Sequence, residues 1–244
     1  MSAGLYLSRA TLRRDAATAA LVALLDPDDP SRALDAHHRL IWSLFADGPD
    51  RRRDYLWRTE AKGRFLLLSR RLPQDDKKLF EIETKPFEPN LSVGDRLGFV
   101  LRANAVVDRP SAVLKADPVT RRPRDRRVDV VMHRLHKLRA RDAASGDPGE
   151  RAAERGRIAS EEGRAWLVRQ GESRGFEVVR AHAEGYRRVS LPRKGKTGGG
   201  AVFGVLDLAG VVAVRQPETF VSALARGLGK AKAFGCGLML VRRA

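Results

Sequence analysis

One stretch near the C-terminus decides how the rest of this chain is interpreted: Gly227-Leu228-Gly229-Lys230-Ala231-Lys232-Ala233-Phe234-Gly235-Cys236-Gly237-Leu238. Glycine weakens helices and strands, so four glycines in alternating pairs around two lysines suggest a backbone that an anionic group approaches closely. Phosphate is the obvious candidate. The same pattern is also typical of a glycine-rich turn that leads into a last strand, Leu238 to Val241. The remaining sequence has to decide between a phosphate cradle and a turn.

Composition narrows the class of protein. A chain of 244 residues with 43% apolar content can form one large domain or two small ones. The single cysteine, Cys236, excludes an internal disulfide framework and a cysteine-based metal site, as expected in a reducing compartment. No signal-like segment and no apolar run long enough to span a bilayer occur. We therefore expect a cytoplasmic protein without a membrane partner.

The charge predicts the partner. The chain carries 47 Lys and Arg against 30 Asp and Glu, a formal net charge of +17. A charge of that size is self-repelling unless an anionic partner offsets it, and nucleic acid is the leading candidate. A GC-rich genome would explain why arginine outnumbers lysine, but not why basic residues outnumber acidic ones. An acidic membrane surface is a weaker option, since no basic amphipathic helix with a bulky apolar face is evident.

The first half begins with a strand pattern and a helix pattern. Leu5 to Leu12 alternates as a strand does. Ser31 is a plausible N-cap for a helix from Arg32 to about Ala46. One face of that helix would carry an apolar stripe with a histidine in line, formed by Leu34, His38, Ile41 and Phe45.

A predicted β-hairpin follows, with strands from Tyr55 to Glu60 and from Arg64 to Leu72. After a polar segment with a short helix, Leu79 to Lys85 offers a further strand. The order β-α-β-β-(short α)-β predicts a ferredoxin-like unit.

The second half repeats this order with additions. A strand from Arg96 to Asn104 starts a second sheet, and Ser160 is a candidate cap for a helix from Glu161 to Gln170. Two long strands, 176–191 and 201–214, precede a short helix, 218–226, and the closing strand. The predicted fold is α+β, with two tandem ferredoxin-like (RRM-like) β-α-β-β-α-β domains, residues 1–90 and 91–244. Tandem sheets of this type offer a cleft for single-stranded or hairpin RNA.

A basic hairpin tip is predicted between those two long strands. Its cations precede a run of glycines and are Arg187, Arg188, Arg193, Lys194 and Lys196. Such a tip would project from the body and grip RNA. The alternative is a solvated charged turn.

The catalytic chemistry that the residues permit is narrow. The sequence contains no HExxH, paired cysteines, P-loop or dense carboxylate cluster, so a metal nuclease is disfavoured and no cofactor is expected. RNA supplies its own nucleophile, because the 2′-OH attacks the adjacent phosphate once its proton is removed. His38 is the candidate base, and Asp35 lies close enough on the helix to orient it or raise its pKa. A histidine in line with an apolar stripe is more often a packed core residue; the RNA-like charge favours catalysis here.

Four segments carry a resemblance to a known family: Leu5-Tyr6-Leu7-Ser8, His38-Arg39-Leu40-Ile41-Trp42-Ser43-Leu44-Phe45, Leu101-Arg102-Ala103-Asn104 and the opening glycine stretch. Together they resemble the CasE family, the type I-E CRISPR endoribonuclease of the Cascade complex. The segments run in order from the first strand to the last, so the resemblance covers essentially the whole chain.

The resemblance implies a metal-independent endoribonuclease that cuts precursor CRISPR RNA within the repeat, at the base of the stem-loop. It would leave a 2′,3′-cyclic phosphate or a derived 3′-phosphate. It would then stay bound to the mature crRNA stem-loop beside the other Cascade subunits.

The resemblance also implies roles for individual residues. His38 matches the family histidine, but Asp35 stands where the family has a tyrosine, so Tyr6 or His37 substitutes, or the enzyme relies more heavily on His38. Lys232 matches the glycine-loop lysine. The predicted RNA-binding set is Arg102, Arg187, Arg188, Arg193, Lys194, Lys196, Gly229, Lys230, Lys232 and Gly235.

Two alternatives remain open at this point. The departure at Asp35 is compatible with a non-catalytic subunit of the same complex that only binds the RNA hairpin. A small-molecule enzyme that holds a nucleotide on the glycine loop is a poorer fit, because no acidic ribose-binding residue follows a βαβ fingerprint.

Overall fold

The computed structural model describes residues 4–15, 18, 21–48, 52–109, 126–139, 148–191 and 202–244. Two four-stranded antiparallel sheets carry the fold. The first contains β1 (Tyr6–Leu12), β2 (Tyr55–Ala61), β3 (Arg64–Ser69) and β4 (Phe80–Pro86), in the order β2-β3-β1-β4. A four-residue helix α1 (Val22–Leu25) and the longer α2 (Pro30–Ser43) complete this half.

The second sheet contains β5 (Arg96–Ala103), β8 (Phe176–Ser190), β9 (Val202–Val214) and β10 (Met239–Arg243), in the order β10-β5-β9-β8. Between β5 and β8 lie β6 (Val106–Arg109), β7 (Arg126–Asp129), α3 (Val130–Arg139) and α4 (Pro148–Glu172), and α5 (Pro217–Arg226) precedes β10. Both sheets have the strand order of a ferredoxin-like unit, and the predicted α+β fold with two such units in tandem is confirmed.

Helix α2 differs from the prediction in its N-cap residue and in the side that it buries. Asp29, not Ser31, is the N-cap, because its carboxylate accepts from the Arg32 backbone N–H at 2.8 Å and Pro30 occupies the first helical position. The buried stripe contains His37, Leu40 and Ile41, so His38 lies on its flank and is half-buried.

Two other predicted helical features are corrected. Ser160 lies inside α4, where its hydroxyl accepts a hydrogen bond from the Ala183 backbone N–H at 3.0 Å, so it ties the helix to β8 and does not cap it. The described residues 70–79 form no short helix. There the Asp75 carboxylate accepts from the backbone N–H groups of Leu79 and Phe80 and leads the chain directly into β4.

The two halves meet on the face of the first sheet that points away from α2. Leu56 and Leu68 from that face form a small core with Leu238, against which Leu240 also packs. The loop between α5 and β10 therefore belongs to both halves. Among the described residues, no helix is long and apolar enough to cross a lipid bilayer.

Candidate functional site

The four glycines of the loop adopt left-handed backbone conformations and make close contacts within the protein. Gly227, Gly229, Gly235 and Gly237 have φ values of 71°, 79°, 75° and 94°. A Cβ at Gly227 would lie 2.7 Å from Leu56, and one at Gly229 would lie 2.8 Å from the Asn104 carbonyl oxygen. The ring of Trp57 lies 3.3 Å from the equivalent point at Gly235. These contacts and the following β10 account for the glycines as a packed turn, the second interpretation of the sequence.

The same turn presents Phe234 toward the histidine helix, whereas the Lys232 side chain reaches the end of α5. Lys232 and Phe234 bound a 3₁₀ turn, which Ala231 and Gly235 flank in left-handed conformations. The Lys232 ammonium donates to the Arg226 carbonyl oxygen at 2.6 Å. Burial, then the charge of Arg53, holds the pKa of Lys232 below its ordinary value. Lys230 is exposed at the start of this turn, and its backbone N–H donates to the Asn104 carbonyl oxygen at 3.2 Å.

His38 faces this turn from α2. Its ring centroid lies 5.3 Å from that of Phe234 and 6.5 Å from that of Trp42. Its buried Nδ1 has no hydrogen-bond partner among the described residues. The structure thus brings the predicted histidine and the glycine loop together, although they lie almost 200 positions apart in the sequence.

Burial is the main influence on His38 and lowers its pKa from 6.5. A backbone hydrogen bond with Ala233 and the charge of Asp35 oppose this effect, whereas Arg53 and Arg39 add to it. The imidazole is therefore neutral at pH 7, the form that accepts a proton.

The other predicted catalytic residues lie at different depths. Asp35 forms an ion pair with Arg39 one turn along α2, and only its charge influences His38. His37 lies in the core, where its Nε2 is 2.8 Å from the Asp26 carboxylate and its ring packs edge-on against Phe65. Both His37 and Asp26 side chains are 8% exposed.

Tyr6 lies at one end of β1, paired with Ser69 of β3 and, one strand further, in line with Tyr55 of β2. It is half-buried on the sheet face that α2 covers. Among the described residues, no hydrogen bond or ring contact joins Tyr6 to His38.

Arg53 is a residue that sequence reasoning missed. It lies two residues before the start of β2, and its charge lowers the pKa of both His38 and Lys232. Its charge therefore influences both predicted site residues. The basic run Arg51-Arg52-Arg53 before a predicted strand was the available signal.

The predicted RNA-binding arginines are divided between two surfaces. Arg102 and Arg187 both bind the Asp207 carboxylate, at 2.7 and 2.8 Å, on the sheet face that looks away from α4. Arg188 points to the other face of the sheet, where its charge acts on the half-buried Asp129 near the start of α3. Arg193, Lys194 and Lys196 lie outside the described residues.

A half-buried arginine lies beside this pair. Arg58 of β2 is held near Arg102 and Asp207, and its Nη1 has no hydrogen-bond partner among the described residues. The described part of the chain gathers no group of three His, Cys, Asp or Glu side chains that could hold a metal ion.

Comparison with known proteins gives a consistent result. The CRISPR system Cascade subunit CasE of Escherichia coli (strain K12) is 26% identical over 215 residues, covering 86% of this chain and 92% of that protein. The fold is similar to that of CRISPR endoribonuclease Cse3 bound to a 19-nucleotide RNA, with a TM-score of 0.62, 23% identity and coverage of 98% and 99% of the two chains. Thermus thermophilus Cse3 bound to an RNA representing a pre-cleavage complex gives a TM-score of 0.61 at 22% identity, again over 98% and 99%.

The family comparison extends over the same length. A model of the family described as CRISPR associated protein matches residues 5–243. The resemblance inferred from the sequence is confirmed. The chain belongs to the CRISPR-associated protein family.

Proposed function

We propose that this protein is an endoribonuclease that cleaves precursor CRISPR RNA within the repeat, at the base of its stem-loop, without a metal ion. The observation that carries the proposal is the placement of His38, a neutral, half-buried imidazole, against a lysine-bearing loop. The proposal is supported by similar proteins, which include a CRISPR endoribonuclease and a Cascade subunit.

The reaction needs a base, an acid and a cation. Neutral His38 takes the proton from the ribose 2′-OH, and the 2′-oxygen attacks the adjacent phosphorus. The bond from phosphorus to the 5′-oxygen then breaks, and the imidazolium returns its proton to that oxygen. The products are a 2′,3′-cyclic phosphate and a 5′-hydroxyl, and His38 is neutral again.

Lys232 supplies the cation that stabilises the phosphorane. Its ammonium has three donors, and the bond to the Arg226 carbonyl oxygen uses one of them. Arg53, which acts on both Lys232 and His38, adds a second positive charge at the same place.

The rest of the surface holds the RNA. The net charge of +17 favours a polyanion, and the arginines on the outer face of the second sheet lie beside the candidate site. We infer that the protein stays bound to the mature crRNA stem-loop as a Cascade subunit. We further infer that it works in the cytoplasm, which its single, buried Cys236 supports.

A cleavage assay with a repeat hairpin in excess EDTA tests the proposal. Wild-type protein should cut at one position and leave a cyclic phosphate, and His38→Ala should lose roughly 100- to 10,000-fold in rate, the usual range for proton-transfer residues. His38→Ala should still bind the hairpin. An absolute Mg²⁺ requirement, or undiminished cleavage by the variant, would contradict the mechanism.

The ion pair between Asp35 and Arg39 favours one alternative, a subunit that binds the hairpin without cutting it, since no carboxylate among the described residues hydrogen-bonds His38. Tight binding by the wild type with no cut product would establish that reading.

A further inference from the structure

Two phenylalanines beside His38 stand apart from every other phenylalanine in the chain. Of the nine, seven lie in or against the hydrophobic cores. Phe203 and Phe234 do not; they contact each other, with ring centroids 5.8 Å apart and planes inclined by 31°. Both are half-buried, so part of each ring is open to solvent.

The pair is continuous with the candidate site. Phe234 also contacts His38, at 5.3 Å between centroids, so the rings form a row from the start of β9 to α2. Phe203 is paired with Val189 of β8, at the base of the basic hairpin. The row therefore joins the predicted RNA-binding strands to the predicted catalytic histidine.

The backbone is strained where it presents Phe234. Ala231, just before the 3₁₀ turn, has a φ of 51°, one of two positive φ values among the described residues other than glycine. This conformation is unfavourable for an alanine, and such strain persists where the surroundings dictate it, often at functional sites. Gly235, with a φ of 75°, bounds the turn on the other side and lets Trp57 pack beneath it.

We propose that Phe203 and Phe234 form a platform on which the unpaired base next to the cleaved phosphate stacks. Proteins recognise unpaired RNA by stacking bases on aromatic rings, within a positively charged surface that tracks the backbone. Here Arg53 and Lys232 provide that charge. Stacking the base beside His38 fixes the attached ribose, and hence its 2′-OH, near the imidazole.

This inference rests on the proposed function for the identity of the ligand. Stacking tolerates all four bases because each has a π-face. The platform therefore predicts a requirement that a nucleotide at this position be unpaired, with little preference for which base it carries.

The test uses repeat hairpins with 2-aminopurine placed in turn at each unpaired nucleotide flanking the stem, and with 2′-deoxyribose at the attacking nucleotide so that no cleavage occurs. Wild-type protein should quench the fluorescence at one position. Phe234→Leu and Phe203→Leu should lose that quenching, whereas Val202→Ala, an exposed apolar residue of the same strand, should retain it. Circular dichroism verifies that each variant is folded.

A second arm removes the base and keeps the ribose. An abasic nucleotide at the quenched position should weaken wild-type binding by between about 5-fold and about 150-fold, the range of base–aromatic stacking. In Phe234→Leu the abasic substitution should cost little more, because the same interaction is already lost. Quenching that is unchanged in both variants, or an abasic cost that is equal in wild type and Phe234→Leu, would overturn the platform.

The two proposals fail separately. If the wild type cuts an all-ribose hairpin but no position shows phenylalanine-dependent quenching, the platform is wrong and the nuclease stands. If quenching depends on both rings but no RNA is cut in EDTA, the stacking of an unpaired base on the two rings stands and the metal-independent nuclease is wrong.

Discussion

His38 acquires its acid–base properties from the pocket between α2 and the glycine loop. Burial lowers its pKa below 6.5, so the folded protein holds the imidazole neutral at pH 7. A base acts in its deprotonated form. The cleavage rate should therefore rise with pH through the pKa of His38 and level off above it.

Two substitutions should move that profile in opposite directions. Arg53→Gln removes a positive charge that lowers the pKa of His38, so the rise in rate should shift to higher pH. Asp35→Asn removes a negative charge that raises the pKa, so the rise should shift to lower pH. The measurements are the pH dependence of kcat/KM and the NMR titration of the His38 ring.

Arg96→Gln is the matched control for lost charge, since Arg96 lies at the end of β5 opposite to the loop, and it should leave the midpoint unchanged. Shifts of the same sign for Arg53→Gln and Asp35→Asn would contradict the electrostatic account.

Only some of these residues could be chosen from the sequence. His38 was a candidate from its place on the predicted helix together with the charge of the chain, and the family resemblance implied the same residue. The role of Arg53 was not recognisable, because it depends on the folded chain bringing Arg53 close to α2 and to the glycine loop. The partner of His37 was equally hidden, since Asp26 lies 11 positions away and reaches it only in the folded core.

At the scale of the element, the glycine loop depends on residues without a Cβ. Gly229→Ala would place a Cβ 2.8 Å from the Asn104 carbonyl oxygen at a φ of 79°. We expect a loss of roughly 1–3 kcal/mol in the free energy of unfolding from strain and contact together. Urea denaturation measures it, and the m-value should not change.

Gly156→Ala is the control for this substitution. Gly156 lies in α4 with no atom within 4 Å of its would-be Cβ. Alanine should stabilise that helix by up to about 1 kcal/mol. If Gly229→Ala behaved like Gly156→Ala, the close packing of the loop would be disproved.

Element boundaries followed local chemistry that the sequence only partly reveals. The strands β8 and β9 and the helix α5 were predicted to within one residue of their observed bounds. The start of α2 was misassigned because Ser31 is a common cap, although Pro30 suits the first helical position and points to the residue before it. The start of α4 was hidden, since Ser160 uses its hydroxyl to bind β8.

At the scale of the molecule, RNA binding should be dominated by charge and therefore sensitive to salt. Arg187 shares its sheet face with Phe203, whereas Arg188 faces α3. Arg187→Gln should reduce the magnitude of the slope of log affinity against log salt by about 1, the contribution of one phosphate contact. Arg188→Gln should reduce it less. Filter binding of the hairpin at several salt concentrations measures both. The reverse ranking would place the RNA on the helical side of the sheet.

The tandem ferredoxin-like fold was predictable because each half repeats the same order of patterns. The contact between the halves was not. The glycines that suggested a phosphate cradle serve instead to bring the loop onto Leu56 and Trp57, and nothing in the local sequence separates these two uses.

The same loop also shields a sheet edge. β2 is the outermost strand on one side of the first sheet, and an uncovered edge strand offers unpaired backbone groups to other chains. The 3₁₀ turn and α5 pack against β2, and Trp57 donates to the Ala233 carbonyl oxygen at 3.2 Å. At the opposite edge, β4 relies on exposed charges, Glu81, Glu83 and Lys85. A variant that detaches the loop would therefore expose an edge on which neighbouring chains can add strands, and aggregation would accompany the loss of the site.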